Sequence, residues 1–330
     1  MTPQLYGKKL FIMVLTDLKK VNYNMHLIAG HPFGGTEVGR ILDDALDTRG
    51  KMVRASLVLL CGAYGEKYEE NKDKLYLLAA MVELIHLASL IHDDIVDESD
   101  FRRGKPSIQA KYHKDAAVYA GDFILSRVNY YEASENLNEA SKILSKMIEG
   151  MCAGEIGQAV CRYKESTSVA EYLNNIRGKT VELFKGACKI GAMQTECSNE
   201  IISKLESFGE NLGIMFQLRD DYLDFTSSES ELGKTAHMDF REGIYTMPVL
   251  CALQNDKDGK LLAIMGKNAE SSLNDEEIRK TEELVTELGG VDATIDEIRN
   301  CQNKIEKILG ELPGCEATDM LWQLLKKLAI

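Results

Sequence analysis

Two stretches of the chain repeat one arrangement of carboxylates. His92-Asp93-Asp94-Ile95-Val96-Asp97 is answered 127 residues later by Arg219-Asp220-Asp221-Tyr222-Leu223-Asp224, each at the end of an apolar run. At about 100° per helical residue, Asp93 and Asp97 share one face a turn apart, as do Asp220 and Asp224. Like charges at that spacing destabilise an isolated helix by roughly 0.2–0.5 kcal/mol per pair, so two such pairs call for a cation. An all-oxygen donor set suits Mg2+, a hard ion that keeps several waters and takes one or two carboxylates together with phosphate oxygens. Asp221, inside the second cluster, is expected to join the ligands.

Cations surround these clusters. Arg102 and Arg103 stand five and six residues past Asp97, in the loop Ser99–Pro106 (SDFRRGKP). Lys51 and Arg54 are spaced i, i+3 near a helix start, where they can clamp an anion. His86, seven residues before Asp93, occupies nearly the same face two turns earlier. Lys179-Thr180 and Gln217 lie within apolar helices, and Gln217 shares the face of Asp220. Lys234 belongs to a long polar segment, Thr226–Gly243.

Metal-binding carboxylates, two cationic anion sites and apolar helices together fit ionisation of an allylic diphosphate. Bound metal neutralises the departing diphosphate, which stabilises charge that develops in the transition state. A dry pocket keeps water from the carbocation left behind. The Thr180 hydroxyl or carbonyl and the Gln217 amide oxygen would stabilise that cation without trapping it. No Ser-His-Asp or Cys-His arrangement is evident.

Helices must position all of these groups. Apolar residues recur at helical spacing almost throughout, over Thr36–Asp47, Met52–Tyr64, Lys72–Glu98, Ser107–Ile124, Ser126–Leu137, Glu139–Cys161, Ser168–Ala192 and Asn199–Phe225. Shorter helices follow at Tyr245–Gln254, Asp275–Leu288, Val291–Leu309 and Glu316–Lys327. Five prolines in 330 residues fall well under the usual share of roughly 5% and leave helix interiors unbroken. The expectation is an all-α fold, one large bundle of antiparallel helices forming a single domain over residues 1–330. A formal charge of −13 argues against nucleic acid and against an anionic membrane surface. The apolar run Leu75–Ile91, interrupted by Glu83 and His86, reads as a core helix rather than a transmembrane span. No secretory signal is clear at the N-terminus, so the expected location is the cytoplasm. Eight scattered cysteines with no CxxC pair read as reduced, buried thiols.

HDDIVDES, FRRGKPS, Gly121-Asp122-Phe123, Gly178-Lys179-Thr180, FQLRDDYLDF and GKTAHMDFREGIYTMP occur in order between Gly50 and Pro248. This combination resembles the trans-isoprenyl diphosphate synthases. The resemblance implies an all-α bundle around a deep central cavity, usually a homodimer, with three Mg2+ ions when substrate is bound. It implies that Asp93, Asp97 and Asp220 hold Mg2+ on the allylic diphosphate. Arg102, Lys179, Thr180, Gln217 and Lys234 would contact the allylic substrate, and Lys51, Arg54, His86 and Arg103 would bind isopentenyl diphosphate. The implied mechanism is ionisation, attack by the isopentenyl double bond, and proton loss to the released diphosphate. Departures are Ile244, where the family commonly has lysine, Met52-Val53 in place of a more polar pair, and a C-terminus ending KKLAI.

Ala88 and Ser89, five and four residues before Asp93, are expected to face the substrate cavity as chain-length determinants. Short-chain members often carry an aromatic ring there, and HDDIVDES looks like the long-chain enzymes of quinone side-chain synthesis. The expected product is therefore longer than C20, with Ile85, Leu84 and Met81 lining the deeper path. A short-chain farnesyl or geranylgeranyl synthase is the first alternative. A terpene cyclase is disfavoured by Lys51 and Arg54, a phosphohydrolase by the second acidic cluster, and a non-catalytic subunit by two intact acidic motifs. The catalytic half of a heteromeric synthase, with a partner subunit, is a variant of the main reading.

Overall fold

The computed structural model describes residues 17–30, 33–47, 50–226 and 238–329. The regular elements of the described residues are helices, apart from one hairpin of two-residue strands. It groups into two compact units, residues 1–148 with 186–206 and 312–320, and residues 149–185 with 207–311 and 321–330. Four of the five crossings fall inside helices, so no irregular linker marks them.

In the first unit, α1 covers 17–29, α2 Glu37–Leu46 and α3 Val53–Gly62. The long helix α4, Lys72–Val96, follows, and then the strands β1 (Phe101–Arg102) and β2 (Lys105–Pro106) and the helix α5 (Ile108–Ser134). Helix α4 is apolar on nearly every side, and Leu75, Leu78, Met81, Leu84 and Ile85 are fully buried. It is long and apolar enough to cross a membrane, but 72% of its apolar window is buried within the protein, as befits a core helix. Tyr76 ties it to α1 by donating to Asp17 Oδ1 at 2.6 Å. Helix α3 meets α8 (Glu182–Gln194) backbone to backbone: a Cβ on Gly191 would lie 2.1 Å from the Val58 carbonyl oxygen.

In the second unit, the part of α6 (Asn138–Val160) from residue 149 packs beside α7 (Val169–Ile176) and a π-helical turn, Arg177–Val181. The part of α9 (Asn199–Thr226) from residue 207 lies against that turn, because Gly213 allows contact with Val181. Helix α10 spans Met238–Arg241, α11 Met247–Leu253, α12 Lys260–Glu270, α13 Asp275–Glu287 and α14 Gly290–Glu311, and α15 (Glu316–Leu328) ends the chain.

Three expectations change. The break foreseen between Ile124 and Ser126 is absent, since nothing there interrupts hydrogen bonding. The backbone departs from helical angles at His113 instead (φ 71°). The single helix foreseen over Ser168–Ala192 is divided by the π turn. All eight cysteines are free, but only Cys61, Cys188 and Cys301 are buried, while Cys152 and Cys315 are exposed.

Candidate active site

In the first unit the carboxylates stand at the C-terminal end of α4. Asp93 is half-buried and Asp97, its C-cap, is exposed. Asp94 between them is 3% exposed and is held by Arg102, whose Nε and Nη2 donate to Oδ1 at 2.8 and 2.6 Å. Burial pushes the Asp94 carboxyl up, against the pull of Arg102. The loop SDFRRGKP places that arginine. Arg102 pairs with Lys105 across the hairpin, and the turn residues Arg103 and Gly104 have φ of 52° and 77°. Positive φ at both central positions is the signature of the tight turn whose twist matches paired strands. The hairpin base is fixed by Ser107 and Gln109, which both donate to the Ser99 carbonyl.

The same turn swings Arg103 back onto Gly50, where a Cβ would come within 2.5 Å of its guanidinium. Arg54 on α3, His86 on α4, Arg102 and Arg103 are electrostatic neighbours, and burial together with the three arginines holds His86 well below its ordinary pKa. His86 is therefore a neutral donor in a cationic surround. Lys51 is exposed beside Gly50. Ala88 is fully buried, and Ser89 turns its hydroxyl back onto the His86 carbonyl at 2.8 Å. Gly121 gains a reason as well. His92 Nε2 lies 3.2 Å from the Val118 carbonyl oxygen, and a Cβ on Gly121 would be 2.2 Å from that nitrogen.

In the second unit Asp220 is exposed, whereas Asp221 and Asp224 are buried. A capping box, Ser168 with Glu171, starts α7 so that Tyr172 faces inward and donates to Asp221 Oδ2. Gln217 donates its amide to Asp221 Oδ1 at 2.9 Å and accepts the Thr180 hydroxyl at 2.7 Å. Burial pushes Asp221 up to about 6 despite both donors. The π turn delivers Lys179 and Thr180. Gly154 and Gly178 let its backbone touch α6, each leaving no room for a Cβ, and Lys179 Nζ pairs with Glu155 at 3.0 Å. A cavity of about 80 Å³ is lined by Lys179, Gln217, Asp221, Asp239 and Ile244, among others. That volume holds a few waters.

Of the expected residues, Arg54, His86, Arg102 and Arg103 come together in the first unit, and Lys179, Thr180, Gln217 and Asp221 do so in the second. Lys234 lies outside the described residues. The amide oxygen of Gln217, expected to face the carbocation, is occupied by Thr180. Glu83, Glu155, Tyr172 and Asp239 were missed by the sequence reading. Glu155, set between Gly154 and Gly157 on an apolar helix, was the most visible of them. Among the described residues no three His, Cys, Asp or Glu side chains converge on one point. The donor set still fits Mg2+, which completes its shell with water and substrate phosphate oxygens.

The polyprenyl synthetase family model matches residues 36–307. The chain belongs to that family. It is similar to heptaprenyl diphosphate synthase component 2 of Geobacillus stearothermophilus, 32% identical over 320 residues and covering 96% of each chain. Two solved structures share the fold at a TM-score of 0.87 and 28% identity. The heptaprenyl diphosphate synthase of Staphylococcus aureus covers 95% of this chain and 97% of its own. The polyprenyl synthase of Caulobacter crescentus CB15, complexed with calcium and isoprenyl diphosphate, covers 98% and 97%. The all-α isoprenoid synthase fold is thereby assigned to this polyprenyl synthetase.

Proposed function

We propose that this synthetase condenses isopentenyl diphosphate with an allylic diphosphate to give an all-trans polyprenyl diphosphate longer than C20. The observation that carries this reading is the grouping in the first unit: an exposed and a half-exposed carboxylate one turn apart, beside Arg54, Arg102, Arg103 and His86. The carboxylates take a diphosphate only through a divalent cation, the arginines meet one directly, and the relatives named for long-chain synthases support the product class. Asp93, Asp97 and Asp220 are the carboxylates exposed enough to hold hydrated Mg2+. When bound, Mg2+ neutralises the leaving diphosphate as the allylic C–O bond breaks.

The chain's own groups do the rest. Lys51, Arg54, Arg103 and neutral His86 bind the isopentenyl diphosphate. Arg102 and Lys179, with Lys234, serve the allylic diphosphate. Thr180 donates to Gln217 and keeps its oxygen lone pairs for a developing carbocation. The isopentenyl double bond forms the new C–C bond, and the proton lost in restoring an alkene passes to the released diphosphate. We infer one synthase domain, since the family match runs through residues of both units, acting in the cytoplasm on water-borne diphosphates.

Incubation of the purified protein with isopentenyl diphosphate, Mg2+ and each of dimethylallyl, geranyl and farnesyl diphosphate tests this, with products sized by chromatography. Elongation beyond C20 is expected, and no elongation with any primer overturns the reading for the lone chain. The relative named component 2 favours a second arrangement, the catalytic half of a heteromer. A homodimer has twice the 36.8 kDa of one chain, and light scattering distinguishes it from a monomer awaiting a partner.

A further inference from the structure

Glu83 is a charged side chain in the apolar interior of α4 that the reaction scheme does not use. It is 8% exposed, and its Oε1 accepts the backbone N–H of Ala55 at 3.0 Å. Ala55 is the third residue of α3, a helix whose N-cap is Met52 in the left-handed conformation (φ 51°, ψ 43°) with no side-chain cap. A methionine cannot accept from the first turn, so a carboxylate from the neighbouring helix takes the role usually filled by a local Ser, Thr, Asp or Asn. Negative charge is also favoured at that helix end by the aligned peptide dipoles.

The second half of the geometry concerns the arginines. Glu83 has Arg54 and Arg103 as its charged neighbours, and the pull of both opposes the burial that raises its carboxyl. Arg103, in turn, is lowered by burial and by Arg102, while Glu83 acts to keep it charged. Arg102 repels Arg103, and an anion that is a charged neighbour of both Arg103 and Arg54 offsets part of such repulsion before a ligand arrives. Arg54 is also carried by the first turn of the helix that Glu83 caps. One carboxylate thus fixes both the backbone and the charge of the cluster.

We propose that Glu83 is a positioning residue of the isopentenyl diphosphate site, capping α3 across the helix pair and setting Arg54 and Arg103 for the diphosphate. This rests on the function proposed above. Glu83 touches no substrate. It acts through the two arginines, so its loss is felt by the homoallylic substrate and not by the allylic one.

The test is Glu83→Gln in the full chain, which keeps an oxygen for Ala55 and removes the charge. KM for each substrate, kcat and the melting temperature are measured beside the wild type, together with calorimetric Kd values for isopentenyl diphosphate alone. Expected is a rise of about tenfold in Kd and KM for isopentenyl diphosphate, the scale of one arginine–diphosphate hydrogen bond weakened by displacement of Arg54 or Arg103. KM for the allylic primer stays within about twofold of wild type by the same reasoning, because the allylic groups do not depend on Glu83. Glu83→Asp, which keeps the charge on a shorter arm, recovers part of the loss. Unchanged Kd, or equal rises for both substrates, overturns the proposal. Wild-type turnover tests the function separately: binding that weakens in the variant while the wild type makes no product keeps Glu83's role and rejects the reaction.

Discussion

Tyr172 and Gln217 grip Asp221 by its two oxygens, the phenol on Oδ2 and the amide on Oδ1. An ionised carboxylate only accepts, so Gln217 must present its NH2 to Asp221 and its oxygen to Thr180. The chain of bonds from Thr180 through Gln217 to Asp221 has one consistent orientation, and Tyr172 closes it. In the first unit Arg102 occupies Asp94 in a comparable way. In each Asp-Asp-x-x-Asp the second aspartate is buried and engaged by protein donors, while the first is open enough to meet an ion.

Asp221→Asn and Tyr172→Phe should therefore lower kcat without changing the Mg2+ requirement. A hydrogen bond to a charged group contributes about 1.5–3 kcal/mol, so Tyr172→Phe should also depress the melting temperature. Asp220→Asn should raise the Mg2+ concentration for half-maximal rate. Magnesium titrations of the three variants decide: an equal shift for Asp221→Asn and Asp220→Asn would make Asp221 a ligand after all.

The acidic clusters and their cations were legible because the chemistry is written in residue type and spacing: Asp93 with Asp97, Lys51 with Arg54. The helices were legible from apolar periodicity, and the spans begun at Thr36 and Ser168 start on residues that the structure shows as N-caps. What stayed hidden depends on contacts across the fold. Nothing local says that Glu83 reaches Ala55, 28 residues away, or that Tyr172 reaches Asp221. The hairpin at Arg103-Gly104 is too short for a period-2 pattern. The π turn at Arg177–Val181 follows from close backbone packing at Gly154 and Gly178, and a helical period in the sequence continues straight through it.

His86 gives a pH prediction with a definite sign. Its folded pKa lies well below the 6.5 of the free side chain. As pH falls through 6.5 the unfolded chain takes up a proton that the folded chain refuses, so stability is lost on acidification. The slope is about 1.4 kcal/mol per pH unit for one such group, until the folded pKa is reached. Urea unfolding at pH 5, 6 and 7 should show the loss, and His86→Gln should flatten it. An identical slope in the variant would place the titration elsewhere.

Magnesium binding should depend on the diphosphate. At most two open carboxylates per cluster, with no third ligand converging among the described residues, leave an ion most of its water, so affinity without substrate is low. Addition of an unreactive diphosphate analogue should tighten it by about 5–150-fold, the range of ordinary coupling energies. The analogue's own affinity must rise by the same factor with Mg2+. Calorimetry in both orders checks the reciprocity, and tight Mg2+ binding by the substrate-free protein would contradict the two-carboxylate site.

Product length supplies the last prediction, through a series along α4. Ala88 lies about 7.5 Å along the helix axis from Asp93, Ile85 about 12 Å and Met81 about 18 Å, at ~1.5 Å per residue. If these side chains wall the path of the growing chain, a ring at each position blocks it at a different depth. Ala88→Phe should give the shortest product, Ile85→Phe a longer one and Met81→Phe the longest of the three. All three positions are fully buried, and an inserted ring costs about 1–3 kcal/mol in a packed core. Melting temperatures must therefore accompany product chromatography. Shortening in the order of depth, at comparable stability, identifies α4 as the wall. Product lengths that track melting temperature rather than position would show that the substitutions merely loosen the core, and unchanged product from Ala88→Phe would move the wall to another helix.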